Sequence, residues 1–415
     1  MSFEKDLQFR KFQLYGFLKN LRFFEPFLML FFLEKGITFL EIGTLYALRE
    51  ITRNLTEIPS GMLADIWGRR RTLASSFAFY IISFIIFYFT EQYHFFVIAM
   101  IFFAVGDAFR TGTNKAMIFE YLKINDWEDH KVAYYGLTRG ASQTGSAISS
   151  LLAAGIVFWS GNYSIIFILS TIPYILDFFL ILSYPKILDG EKTDKNLKDI
   201  MNLSKSVLKD FINFFRNADS FRRISCVSIY SGFYKASKDY LQPLIKAAVV
   251  SWSILTFLED KQKAAILIGI IYFFIYLLNT YSSRHSGRFH ERINNYRKAL
   301  MITMIFGLSA GIAAGLLHQS NIKILAIIPF LFIFMAENFR KPIGIAFISE
   351  NMKNNILASS LSAESQISSI IAGIIALLLG FFADHLNPGL SITIVSGILL
   401  VITISIFGRK DKTKP

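Results

Sequence analysis

The chain has 415 residues, of which 53% are hydrophobic and 16% aromatic, and it carries a formal net charge of +13. A water-soluble protein of this length must cover its exterior with polar side chains, so this composition excludes an ordinary soluble domain and favours an exterior that meets lipid. The single cysteine, Cys226, excludes an intrachain disulfide.

Twelve apolar stretches follow one another along the chain, and a stretch of about 20 apolar residues can cross a bilayer as a helix. The sequence therefore predicts an all-α membrane protein with about twelve transmembrane helices. We number these predicted spans one to twelve in chain order: residues 12–33, 40–64, 72–90, 94–122, 132–159, 162–184, 221–250, 264–283, 298–318, 322–349, 356–383 and 389–408.

The basic residues are distributed unequally between the two sets of connecting loops. One set holds only five, whereas the other set and the chain ends hold most of the rest: the five are Lys35, Lys246, Lys261, Lys263 and Lys323. The positive-inside rule places both termini in the cytoplasm, in a multi-pass protein of the plasma (inner) membrane. The basic excess then meets anionic lipid headgroups, and no nucleic-acid partner is predicted.

The predicted spans fall into two groups of six, separated by a polar segment. The sequence predicts an N-terminal bundle at 1–185, a cytoplasmic linker with an amphipathic helix at 186–219, and a C-terminal bundle at 220–415. A shift of 230 residues aligns Asp107 with Glu337 and Arg110 with Arg340, so the halves read as degenerate copies. Parallel six-helix repeats are one known way to build a transporter.

The loop between predicted spans two and three carries a recognisable pattern, Gly-Met-Leu-Ala-Asp-Ile-Trp-Gly-Arg-Arg-Arg-Thr-Leu, at residues 61–73. It resembles the signature loop of the major facilitator superfamily (MFS), G-x-L-a-D-r-x-G-r-k-x-x-l, although Ile66 stands where the family often has a basic residue. The resemblance implies the MFS fold and secondary transport.

Physical reasons support the same loop residues. Gly61 is expected to allow close helix packing, and Gly68 to allow a sharp turn. By resemblance, Asp65, Arg69 and Arg70 form charge contacts that hold one side of the transporter closed and break during each cycle. The alternative is that the arginines only fix the orientation of the chain in the membrane.

Many charged residues lie inside the predicted spans. Each charge at the centre of an isolated helix costs roughly 2.5–3.5 kcal/mol, so these side chains must face a wet cavity or pair with one another. Internal salt bridges are one interpretation, and a substrate and proton pathway is the other. The predicted pathway comprises Arg22, Glu25, Asp107, Arg110, Lys235, Lys238, Glu337, Arg340 and Glu364.

The cations on spans one, four, seven and ten favour a small polar solute, anionic or zwitterionic, as the substrate. Proton coupling requires a carboxylate that changes its protonation, and a substrate that engages a nearby arginine can release such a carboxylate. The candidates are Glu25, Asp107, Glu337 and Glu364. We therefore predict a proton-coupled secondary transporter that works as a monomer.

Two other functions remain open. A proton-driven exporter of lipophilic drugs would show broad specificity and little dependence on Lys235 or Lys238. A transporter-like sensor or scaffold would show no flux and would tolerate Asp65→Asn. The sequence contains neither a nucleotide-binding loop nor a convincing catalytic set, so no enzyme, cofactor or metal site is predicted.

Overall fold

The computed structural model describes residues 3–190, 218–250, 257–320, 322–350 and 354–408. The regular elements of these residues are α-helices and short 3₁₀ turns. The predicted amphipathic helix of the linker lies outside the described residues, and the predicted domain boundaries stay a prediction.

Fifteen α-helices are described. The helices before the linker are α1 (Leu7–Leu18), α2 (Leu28–Glu34), α3 (Phe39–Trp67), α4 (Arg69–Phe89), α5 (Tyr93–Arg110), α6 (Thr113–Ile124), α7 (Lys131–Ser160) and α8 (Ile165–Leu182). Those after it are α9 (Ala218–Ser237), α10 (Leu241–Val250), α11 (Asp260–Ile293), α12 (Tyr296–His318), α13 (Ile327–Glu350), α14 (Asn354–His385) and α15 (Pro388–Gly408).

Every predicted span coincides with one helix or with two consecutive helices. Eight helical segments of the described chain are long and apolar enough to cross a membrane, and they correspond to predicted spans three to six, eight, nine, eleven and twelve. The other four, spans one, two, seven and ten, are helical as well but hold many of the intramembrane charges. Charge therefore concentrates in a few helices.

Three predicted spans are not continuous helices. Span one is interrupted by turns over residues 19–27, which hold three charged side chains and a proline. Span four breaks between α5 and α6, where Gly112 has a φ of 78°. Span seven breaks at a 3₁₀ turn, Lys238–Tyr240. Inside a membrane, irregular backbone of this kind is tolerated where it is buried in protein or lines a water-filled cavity.

The chain forms two compact units. Unit one comprises Met1–Phe27 and Leu48–Lys209, and unit two comprises Leu28–Ala47 and Asp210–Pro415. Residues 28–47, which lie in the predicted N-terminal bundle, thus belong to unit two.

The core of unit one is aromatic. Phe84 lies 5.1 Å from Phe24 and 5.0 Å from Tyr174, measured between ring centroids, so rings from span one, α4 and α8 meet. Small residues bring other backbones together: a Cβ added at Gly145 of α7 would lie 2.5 Å from the carbonyl oxygen of Phe17. Close approach of this kind is common where helices pack within a membrane.

In unit two the N-terminal ends of α2 and α3 bond to helices from the second half of the chain. The side-chain oxygen of Gln242 in α10 accepts a hydrogen bond from the backbone N–H of Met29 at 2.9 Å. The carboxylate of Asp384 in α14 accepts from the N–H groups of Phe39 and Leu40, each at 2.8 Å. A helix N-terminus has unsatisfied N–H groups and a partial positive charge, so a carboxylate stabilises it.

Candidate functional site

Arg110 occupies the last position of α5, directly before the break in span four. Its Nη2 donates to Oδ1 of Asp107 at 3.0 Å, and its Nε donates to the hydroxyl oxygen of Tyr80 at 3.0 Å. The Tyr80 hydroxyl donates in turn to Asp107 at 2.5 Å. Two partners thus hold the guanidinium in place. The side chain of Arg110 is nevertheless 21% exposed, so a ligand can still reach it.

Two further charges of unit one lie in the turns that interrupt span one. Arg22 and Glu25 form an ion pair with 4.0 Å between Nη1 and Oε2. The Nε of Arg22 is buried and has no hydrogen-bond partner among the described residues. Arg22 also interacts electrostatically with Asp107 and Arg110. The predicted pathway residues of spans one and four therefore form one charged cluster, which we call the Arg110 cluster.

Sequence reasoning missed Tyr80 and Asp177. Tyr80 bridges Arg110 and Asp107, but nothing in its local sequence separates it from the many other aromatic residues of the spans. Asp177 is fully buried in α8. It carried a signal, since it is the one acidic or basic residue of predicted span six. The prediction concentrated on spans one, four, seven and ten and so overlooked it.

In unit two, Glu337 of α13 accepts a hydrogen bond from Ser231 of α9 at 2.9 Å, while its second oxygen, Oε2, is buried without a partner among the described residues. Glu337 interacts electrostatically with Glu364 of α14. Glu364 interacts in the same way with Lys235, whose ammonium donates to Ser369 at 3.3 Å. These residues form the second charged cluster of the predicted pathway.

Lys238 lies in the 3₁₀ turn that breaks span seven. Its ammonium is 3.9 Å from a carboxylate oxygen of the neighbouring Asp239, which is buried. The interruption of span seven thus resembles that of span one in holding an ion pair.

Arg340 aligns with Arg110 in the sequence repeat but has different surroundings. Its side chain is 1% exposed, and its guanidinium lies 4.9 Å from the ring centroid of Tyr230. It donates to the carbonyl oxygens of Leu300 and, at 2.9 Å, of Cys226, which belong to α12 and α9. Because two of its donors engage backbone carbonyl oxygens of α12 and α9, Arg340 is placed to join three helices, and this arrangement favours a structural role.

The signature loop makes its described charge contacts within unit one. Arg69 pairs with Glu120 of α6 at 3.3 Å. The carboxylate of Asp189, just after α8, accepts from the guanidinium of Arg70 at 3.2 Å and from its backbone N–H at 2.9 Å. The gating role of Arg69, Arg70 and Asp65 stays a prediction, and the Asp65 side chain is exposed.

The two glycines of this loop differ from each other. Gly68 has a φ of 95° and makes the sharp turn that was predicted between α3 and α4. The expected close packing at Gly61 is wrong for this conformation, because an added Cβ would meet no described atom within 4 Å. Gly61 lies within α3, where open space surrounds its position.

A comparison with known protein families shows which family the chain belongs to. A family model described as the Major Facilitator Superfamily matches residues 20–365. The chain belongs to this superfamily. The predicted all-α MFS membrane fold is confirmed, and members of the superfamily are transporters.

The relatives of this MFS transporter are distant in sequence. It is 24% identical over 406 residues to an uncharacterized MFS-type transporter, YxaM, of Bacillus subtilis (strain 168), covering 94% of this chain and 92% of the relative. A mutant of the nucleoside transporter NupG superposes with a TM-score of 0.78 at 14% identity, covering 97% of this chain and 98% of that one.

Two further solved structures share the architecture. A POT family transporter in complex with 5-aminolevulinic acid gives a TM-score of 0.74 at 12% identity, covering 97% and 95% of the two chains. A D-xylose-proton symporter gives 0.68 at 14% identity, covering 98% and 97%. At these identities the similarity demonstrates the MFS fold. Among the described residues, no group of three or more His, Cys, Asp or Glu side chains is placed to hold a metal ion.

Proposed function

We propose that this MFS transporter moves a small polar solute, anionic or zwitterionic, across the membrane by alternating access and with protons as the coupling ion. The observation that carries the proposal is the Arg110 cluster, in which a partly exposed guanidinium lies at the broken end of a transmembrane helix.

The geometry of Arg110 suits an anionic group. A guanidinium has five N–H donors in a planar fork that matches a carboxylate or phosphate. Asp107 and Tyr80 engage Nη2 and Nε, so other donors of the fork are available to a ligand. Arg22 adds a second guanidinium with an unengaged, buried Nε. Two such groups would compensate the desolvation of an anion in a cavity.

A proton can be coupled to this binding through Asp107. In the absence of a ligand, the carboxylate is stabilised as an anion by Arg110 and by the hydroxyl of Tyr80. A substrate anion that takes over Arg110 withdraws this support and favours a neutral, protonated Asp107. Glu25, Glu337 and Glu364 are the other candidate proton acceptors of the pathway. Lys235 and Lys238 supply positive charge in unit two.

The transported classes of the solved relatives define a sensible ligand panel. These proteins are a nucleoside transporter, a D-xylose-proton symporter and a POT family transporter in complex with 5-aminolevulinic acid. The proposal extends to a plasma-membrane location with both termini in the cytoplasm, contact with anionic lipids, a monomeric unit of function, and the predicted division into two bundles with a linker.

Ligand-induced thermal stabilisation of the purified protein tests the proposal. The panel contains nucleosides, pentoses, short peptides, amino acids, carboxylates and lipophilic cations. The assay compares the wild type with Arg110→Gln and with Lys131→Gln, which removes a cation from an exposed ion pair with Glu128 outside the cluster. We expect an anionic or zwitterionic compound to stabilise the wild type and Lys131→Gln but not Arg110→Gln.

Proteoliposomes loaded with that compound then test transport. An imposed pH gradient should accelerate flux in the wild type, and Asp107→Asn should retain binding but lose the dependence on the gradient. Stabilisation by lipophilic cations alone, unaffected by Arg110→Gln, would contradict the polar-solute proposal and support a drug exporter. Binding without any flux would support a sensor.

A further inference from the structure

Asp177 is a buried acid that the proposed pathway does not use. It lies in α8, its side chain is 0% exposed, and neither carboxylate oxygen has a hydrogen-bond partner among the described residues. The rest of α8 is apolar apart from a few hydroxyl groups. A carboxylate that is enclosed in this way has lost its water, and no described residue donates a hydrogen bond to it in return.

The titratable groups that interact with Asp177 come from two segments of unit one. Lys19, in the interruption of span one, is its cationic neighbour. Tyr15 of α1, Tyr174 of α8 and Tyr184 just beyond α8 also interact with it electrostatically. No ion pair joins Lys19 to Asp177 among the described residues. The ammonium of Lys19 instead lies 5.0 Å from the ring centroid of Tyr15.

An ionised carboxylate in such a position is desolvated, and no hydrogen bond from a described residue offsets that cost. A bound proton removes the charge, so the observed arrangement suits the protonated acid. The ionised form needs a cation beside it, and Lys19 can supply one. Lys19 is partly exposed and lies directly after α1, at the start of the non-helical turns of residues 19–27.

We infer that Asp177 is a proton-binding site of this transporter, with Lys19 as the cation that stabilises its ionised form. A proton from water on the exposed side of Lys19 forms the O–H bond of the carboxylic acid, and the same bond breaks when the proton returns to water. The protonated acid lies apart from Lys19, and the carboxylate pairs with it. The inference deepens the proposed function, because it adds to Asp107 a second proton-binding residue, which lies outside the Arg110 cluster.

Infrared difference spectroscopy of the purified full-length protein in nanodiscs reads this proton directly, without a substrate. A protonated carboxylic acid has a C=O stretch well separated from the bands of a carboxylate. Spectra are recorded over a pH series for the wild type, Asp177→Asn, Lys19→Gln and Asp107→Asn. Asp107 serves as the comparison acid, because it is partly buried in the same unit but pairs with a cation.

We expect a protonated-acid band at neutral pH in the wild type and in Asp107→Asn that is missing from Asp177→Asn. The band should disappear reversibly as the pH rises. In Lys19→Gln it should persist to higher pH, since the cation that favours the carboxylate is gone. This last comparison keeps Asp177 itself intact, so it remains decisive even if Asp177→Asn does not fold.

Two results would overturn the inference. One is a wild-type minus Asp177→Asn spectrum that contains carboxylate bands instead of the acid band at neutral pH. The other is an acid band that does not change with pH, or whose pH dependence is unchanged in Lys19→Gln. Either behaviour would indicate a structural group that is permanently protonated. An Asp177 band that titrates as expected, together with an absence of flux, would refute the proposed transport and leave the proton site standing.

Discussion

Gly68 and Gly61 offer a matched pair of substitutions within one loop motif. Alanine at position 68 should destabilise the protein, whereas alanine at position 61 should be neutral or mildly stabilising. The backbone at Gly68 has a φ of 95° and a ψ of 143°, a region that side chains other than glycine rarely enter. Gly61 is an ordinary helical position about two turns before the end of α3.

The expected cost at position 68 has two parts. Forcing a Cβ into this backbone conformation costs about 1–3 kcal/mol. The same Cβ would lie 2.8 Å from Cγ of Asp189, so that carboxylate must move away from Arg70. Losing a charged hydrogen bond costs about 1.5–3 kcal/mol, less where water can replace it. Together these contributions amount to roughly 2.5–6 kcal/mol, and to less where water replaces the hydrogen bond. At Gly61, by contrast, alanine gains about 0.5–1 kcal/mol from the lower entropy of the unfolded chain.

Thermal unfolding of the two detergent-purified variants, followed by tryptophan fluorescence beside the wild type, measures this difference. Gly68→Ala should unfold at a clearly lower temperature, and Gly61→Ala should unfold at or slightly above the wild-type temperature. Asp189→Asn, which weakens the same contact without straining the backbone, should fall between Gly68→Ala and the wild type. Equal stability of Gly68→Ala and Gly61→Ala would refute the reasoning, since neither the strain nor the displaced carboxylate would then matter.

Three further substitutions test contacts in unit two. Arg340→Lys should lower the free energy of unfolding by about 3 kcal/mol, because a single ammonium cannot donate to the carbonyl oxygens of both Leu300 and Cys226. Thermal unfolding measures this loss, and a wild-type melting temperature would contradict the prediction. Gly380→Ala should lower the free energy of unfolding by about 1–3 kcal/mol, because the added Cβ would overlap the carbonyl oxygen of Phe39. Gly397→Ala is the control in the same melting experiment, since no described atom lies within 4 Å of its added Cβ. Asp384→Asn should lower the free energy of unfolding by about 1 kcal/mol, because it weakens the contact with the N-terminus of α3. Amide hydrogen exchange at residues 39 and 40 should then become faster. Unchanged protection of these amides would contradict the prediction.

The positions of the spans could be predicted from the sequence, because crossing a bilayer imposes a length and an apolar character that local composition reveals. The interruptions could not be located in the same way. Residues 19–27 carry charges and a proline, but a window average treats them as part of one apolar stretch. Whether such a segment continues the helix depends on the polar partners that the rest of the unit provides.

The candidate site, like the fold, could be predicted from the sequence only in part. The cluster around Arg110 follows from charges that cannot face lipid, and the sequence identified Arg22, Glu25 and Asp107 with it. Arg340 shares its place in the repeat with Arg110, yet its surroundings depend on which carbonyl groups of α9 and α12 face it. These neighbours come from distant parts of the chain, so no local pattern reports them. Asp177, by contrast, is visible in the sequence as the one charged residue of predicted span six. It could have been identified if a solitary acid outside spans one, four, seven and ten had been considered as a site.

The contact between Asp384 and the start of α3 bears on how this protein can vary over evolution. Its donors are the main-chain N–H groups of Phe39 and Leu40, so almost any residue except proline can occupy those two positions without removing the contact. The requirement for a particular side chain falls on the other helix, where a carboxylate is needed at position 384 and the smallest residue at position 380. Substitutions should therefore accumulate freely on one partner of this helix pair and rarely on the other.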